Sequence, residues 1–187
     1  MTRSVGRAGA LGLVLMGLMT GCAQEAETVD KPSMEVALTH YLEFQADAIA
    51  ELNEQFGSRT WDVHENAPEF TTTGCEGAGP DGETALVPTV SFDGSWDPSE
   101  YEAVQNLWRE VAERHGFTAF EKVVDRADDF TLLAHDEWGG RAKLGTARNT
   151  VFSVQTGCLV WDEERAFPPA GANWPFSRGA FEPTSGE

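Results

Sequence analysis

The chain has 187 residues, of which 31 are acidic and 13 are Lys or Arg, for a net charge of −18. Charge of that sign and size repels phosphate backbones, which argues against nucleic acid as a partner, and it disfavours contact with anionic lipid through the protein's own surface. Roughly 130 residues lie between an apolar start and a Pro/Gly-containing end, enough for one domain with its own core.

Met1 to Gly21 opens with Arg3 and Arg7 and continues as an apolar run from Ala8 to Met19. That layout is a secretory signal peptide. It is too short and too rich in glycine for a membrane span of about 20 apolar residues. The stretch ends Leu18-Met19-Thr20-Gly21-Cys22. A small residue directly before a cysteine, with apolar residues behind it, resembles the lipobox of bacterial lipoproteins, although Met19 stands where leucine is commoner. The resemblance implies that residues 1–21 are removed, that the Cys22 thiol receives a diacylglyceryl group and that Cys22 becomes the first mature residue. Two or three acyl chains hold a protein on a membrane, whereas one does so only marginally. Arg3 and Arg7 would stay on the cytoplasmic side. Residues 22–32 are then the lipidated cysteine and a charged tether. With Cys22 acylated, Cys75 and Cys158 remain as a pair in an exported, oxidising setting, and a disulfide is expected. A metal site using both thiolates is the rival reading, but no CxxC spacing supports it.

Pro32-Ser33 opens a helix with Ser33 as N-cap. Leu38, Leu42, Ile49, Leu52 and Phe56 recur at helical spacing, and Gly57 ends the pattern. Residues 59–64 alternate like a short strand. Residues 65–84 read as a loop carrying Cys75. Leu86 to Phe92 reads as one strand, with Pro88 placing it at an edge or a bulge. Asp97, Pro98 and Glu100 form a capping box before a second helix, whose apolar face is Tyr101, Val104, Leu107, Trp108 and Val111. Gly116 terminates it. Strands follow at Phe117–Val124 and Phe130–Trp138, with a Gly139-Gly140 hairpin and a return at Arg141–Ala147. Residues 150–154 continue that strand or form a separate one, and residues 159–161 add a last short one. The expected domain, residues 33–162, is an α+β two-layer sandwich: an antiparallel sheet of about five strands with two main helices on one face. Residues 163–187 form a Pro/Gly-containing tail.

The lipobox, Arg59-Thr60-Trp61-Asp62, Gly74-Cys75-Glu76, Trp96-Asp97-Pro98 and Thr156-Gly157-Cys158-Leu159 together resemble the LppA-like actinobacterial lipoproteins. The similarity runs over most of residues 34–161, and Trp174-Pro175 in the tail is similar as well. It implies a lipid-anchored envelope protein with a small α+β domain. It brings no reaction, so no catalytic residue is carried over.

The constellations that could carry chemistry are few. Asp125, Asp128 and Asp129 could offer oxygens to calcium, but they lack the spacing, glycine and terminal glutamate of an EF-hand, and turns favour aspartate anyway. His135, Asp136 and Glu137 precede the Gly-Gly turn, where strand neighbours point to opposite faces, so a solvated hairpin is expected. His40, His64 and His115 are scattered singly. There is no GxSxG or SxxK nucleophile. Paired carboxylates for glycosidic cleavage have no positive signal beyond the abundance of acids. Trp96, Trp138, Trp161, Trp174 and Phe176 fall in turns or toward the chain end, where they could meet a sugar, a lipid head or a cationic segment. Alternatively the tail folds back and Trp174 plugs the domain. Trp61 and Trp108 are expected in the core. The reading is a non-enzymatic protein without cofactor or catalytic residues, anchored through Cys22 at the extracytoplasmic face of the cell membrane. It would present an acidic domain to an envelope protein or ligand. The alternatives are a carboxylate-based hydrolase and a carrier of calcium or a small molecule.

Overall fold

The computed structural model describes residues 30–63 and 71–162. Cys22, His64, Trp174 and Phe176, with their expected roles, lie outside the described residues. Helix α1 spans Met34–Phe56. Its buried stripe includes Leu38, Tyr41, Leu42, Phe44, Ala48, Ile49 and Leu52, the 3–4 residue spacing of a helix packed on one side. Ser33 holds the extended backbone of an N-cap, but its side chain makes no capping bond. The end of α1 is tied instead by Asn53, whose Oδ1 accepts from the Arg59 backbone N–H at 3.0 Å and the Trp61 indole at 3.3 Å. Gly57 follows with φ 85°, a conformation that a side chain disfavours.

Eight strands form one sheet: β1 Asp62–Val63, β2 Thr71–Gly74, β3 Glu83–Leu86, β4 Val90–Asp93, β5 Phe117–Arg126, β6 Asp129–Asp136, β7 Arg141–Thr146 and β8 Asn149–Gln155. The order is β1-β4-β8-β7-β6-β5, and every pairing is antiparallel. Strand β3 joins the far end of β8, with Leu86 opposite Gln155, and carries β2 outside it. The α+β expectation holds, but eight strands replace about five. Two reasons account for the difference. Residues 65–84 contain the outer strand β2 and the start of β3, and the Thr71-Thr72-Thr73 run has no apolar alternation to reveal a strand. Pro88 cuts the expected 86–92 strand in two, because it has no N–H for the ladder. Residues 150–154 do form a separate strand: Thr146 pairs with Thr150 across a tight turn at Ala147-Arg148. Residues 159–161 add only a bridge, between Leu159 and Glu83.

The capping box is present, with Ser99 N–H donating to Asp97 Oδ1 at 2.9 Å and Asp97 N–H to Glu100 Oε2 at 3.2 Å. The Ser99 hydroxyl also donates to Asp97 Oδ1, at 2.6 Å, and this bond, followed by the one from the Ser99 N–H, holds the exposed Asp97 carboxyl below its ordinary range. The box opens a 3₁₀ turn, Pro98–Glu100, and helix α2 follows as Tyr101–Arg114. Both helices cover the same sheet face, where Phe44, Trp108, Phe117 and Phe152 pack ring against ring. A second aromatic group joins Trp61, Phe92 and Trp96. Trp96 is therefore core and not an exposed turn residue, being only 1% accessible. It sits at a turn in the sequence, but that turn folds under the β1–β4 edge.

Candidate functional site

The disulfide joins Cys75, after β2, to Cys158, after β8, with Cα atoms 5.9 Å apart. It is packed closely: a Cβ on Gly82 would stand 3.1 Å from Cys158 Sγ, and one on Gly77 would stand 3.2 Å from Cys158 Cβ. The bond fastens the outer β2–β3 hairpin to the chain leaving the sheet.

The hairpin expected to be solvated is instead a contact point for α1. Asp136 turns toward the helices, where the Tyr41 hydroxyl donates to its Oδ2 at 2.5 Å and the Gly140 N–H donates to its Oδ1 at 2.7 Å. Both carboxylate oxygens are thus used. Burial, followed by the hydrogen bond and the charge of Asp136, pushes the Tyr41 hydroxyl well above the ordinary tyrosine range. A Cβ at Gly140 would collide with the Tyr41 hydroxyl, and one at Gly157 with the Trp138 carbonyl, so both glycines permit a close approach. His135, next in sequence to Asp136, points to the other side and is exposed. The two do not share a site, as strand alternation requires.

His40 and His115 are not isolated. Their rings lie 5.4 Å apart, and His40 Nε2 donates to the His115 carbonyl at 2.8 Å. His115 Nε2 lies 3.0 Å from Asp47 Oδ2, and Trp138 stacks edge-on against His40. Sequence reasoning missed this grouping because the residues sit at the two ends of the helix pair, 75 positions apart. The three candidate calcium ligands do not converge. Lys122 pairs with Asp125 at 3.2 Å and Arg126 with Asp129 at 3.6 Å. Asp128 and Asp129 share a shallow depression with Arg126 and Arg148. Among the described residues, no three His, Cys, Asp or Glu side chains gather as a metal cage.

The sheet face opposite the helices is covered by no described element. Directly opposed residues in antiparallel strands share a face, so the register defines two rows there. Leu86, Gln155, Arg141 and His135 form one, and Ser153, Lys143 and Leu133 the next. Between them lies a concavity of about 420 Å³, lined also by Thr89 and Val151. Strands β3 and β4 pair with opposite ends of β8 and are separated at Pro88. Gln155 Oε1 accepts from Arg141 Nε at 2.9 Å and Nη2 at 2.6 Å, which orients the guanidinium. Sequence reasoning searched for acids and nucleophiles and did not single out Arg141 or Lys143. The available signal was the β7 alternation, with Arg141 and Lys143 on one face and Ala142 and Leu144 on the other.

A family model described as "LppA: Lipoprotein confined to pathogenic Mycobacterium" matches residues 20–161. Two solved structures are similar in fold. One is the lipoprotein LppA from Mycobacterium tuberculosis, at 12% identity and a TM-score of 0.58, over 70% of this chain and 79% of that one. The other is a DUF4853 family protein from Actinomyces odontolyticus, at 15% identity and a TM-score of 0.53, over 72% and 73% of the two chains. No curated protein matches the chain significantly. No described helix is long and apolar enough to cross a membrane.

Proposed function

The chain belongs to the LppA family of lipoproteins, and from that premise we propose that it is held at the extracytoplasmic face of the cell membrane by acyl chains on Cys22. In this reading it is a non-enzymatic envelope protein that presents its acidic α+β domain to an envelope protein or ligand. The observation that carries the reading is the extent of the family match. It begins at residue 20 and so takes in Thr20-Gly21-Cys22 as well as the folded domain. The charged residues 23–31 suit a tether between the lipid and α1. A sheet face left bare by both helices supports a binding role, since a half-covered antiparallel sheet keeps one face available.

The test is metabolic labelling with an alkyne-tagged fatty acid, followed by membrane fractionation. The expected result is a labelled mature chain in the membrane fraction and an unlabelled, uncleaved precursor for Cys22→Ala. Acyl label persisting on Cys22→Ala would overturn the anchor. In-cell crosslinking of the lipidated chain then separates the two kinds of occupant: one protein captured at near-stoichiometric yield would make the domain an interaction module, and capture of bystanders alone would point to a small ligand.

A further inference from the structure

We infer that the concavity on the bare sheet face binds a small soluble anion, a molecule with a phosphate or carboxylate group beside a short apolar part, through Arg141 and Lys143. This rests on the binding role proposed above and names its site and ligand class. Arg141 and Lys143 are two residues apart on β7, on the same face, so their Cα atoms stand about 7 Å apart. Both side chains are exposed. Elsewhere on the surface Arg114, Lys122 and Arg126 each meet a carboxylate, and Arg59 and Arg109 lie over the Phe92 and Phe120 rings. Among the described residues, Arg141 and Lys143 meet no carboxylate, and none lines the concavity. The nearest acid in the register is Glu121 on the outer strand β5, opposite Leu133. In a chain of net charge −18, two adjacent cations without a carboxylate form a local field of the opposite sign, which favours an anion between them.

The donors are suited to that task. Arg141 gives two of its five N–H groups to Gln155 and keeps three, the Lys143 ammonium adds three more, and the Ser153 hydroxyl is adjacent. Charge-assisted bonds of this kind are the strong ones. Leu86, Leu133 and Val151 add apolar surface to the lining of the same concavity. Three side chains shelter a short hydrocarbon group and not an acyl chain. The acidic chain as a whole is also repelled by an anionic lipid surface. The occupant therefore comes from solution.

The experiment uses the mature acylated chain in phosphatidylcholine nanodiscs, with leucine and valine methyls labelled for NMR, titrated with butyl phosphate. Saturable shifts at Leu86, Leu133 and Val151 are expected, with Kd raised about threefold to tenfold by Arg141→Gln or Lys143→Gln and binding lost in the double variant. Thermal melting checks that the variants stay folded, as solvent-facing changes should. The inference fails if butanol produces the same shifts, if the double variant binds unchanged, if only phosphatidylglycerol nanodiscs move these signals, or if the site opens only when residues 163–187 are removed. Binding is read from methyl shifts and anchoring from acyl label, so a failed titration leaves the anchoring test untouched; if Cys22 carries no acyl chain, the same titration is run on the purified chain in buffer.

Discussion

Removal of the Cys75–Cys158 cross-link should cost most of what a loop of this length can supply. The two cysteines are 83 positions apart. In the chain-entropy model, a loop of that size confines the unfolded chain by about 4.5 kcal/mol at 25 °C. Against a total domain stability of about 5–15 kcal/mol, that is a large share. The double variant Cys75→Ala/Cys158→Ala is preferable to reduction, since it leaves no thiols to re-pair. Equilibrium denaturation in urea should show a loss of about 2–4 kcal/mol, because native-state relaxation reduces the ideal figure. The slope m should also rise, since an unlinked chain exposes more surface when unfolded. The Gly77 and Gly82 contacts predict that the β2–β3 hairpin loosens first, visible as faster amide exchange at Thr84 than at Phe152. A loss below about 1 kcal/mol with an unchanged m would refute the reasoning, because the bond would then close a loop already formed in the denatured ensemble.

Other perturbations follow from the α1–hairpin contact. Tyr41→Phe should destabilise by about 2 kcal/mol, as expected for a hydrogen bond to a charged group, measured by chemical denaturation. The same variant has a pH signature. The folded-state pKa of Tyr41 is raised, so its contribution is intact below the ordinary tyrosine pKa of about 10 and is lost as pH rises beyond it. The parent should lose stability above pH 10 by up to about 1.4 kcal/mol per pH unit more than Tyr41→Phe does; parallel curves would sink the assignment. Gly140→Ala should cost about 1–3 kcal/mol, since its Cβ occupies the place of the Tyr41 hydroxyl. Gly79→Ala, at a position with no heavy atom within 4 Å of its Cβ but φ 83°, should cost only about 1 kcal/mol through backbone strain, and comparison of the two melting curves separates collision from conformation.

The helices were legible because each carries redundant marks. In α1 the apolar residues recur over six turns and Gly57 stops them; in α2 the Asp97-Pro98-Glu100 box marks the 3₁₀ turn that leads into the helix at Tyr101. The hairpin at Gly139-Gly140 was legible for the same reason, a turn chemistry with one common use. Strand β2 was not, because Thr71 to Gly74 bury little and so show no period-2 pattern. Neither was the role of Asp136. Its partner Tyr41 lies 95 positions away, and nothing local to either residue marks the pairing. The same logic explains why the sheet's bare face went unread. Hydrophobic periodicity reports only the face that water leaves, so Ala142, Leu144, Phe152 and Val154 identified the core side of β7 and β8. The opposite residues, Arg141, Lys143, Ser153 and Gln155, are polar on any exposed strand. What sets them apart is their collection across two strands into one concavity without a carboxylate, and that property belongs to the register and not to any single segment. No acid lines this concavity, and charge reversal tests whether that matters: Ser153→Glu should leave the fold intact and abolish anion binding.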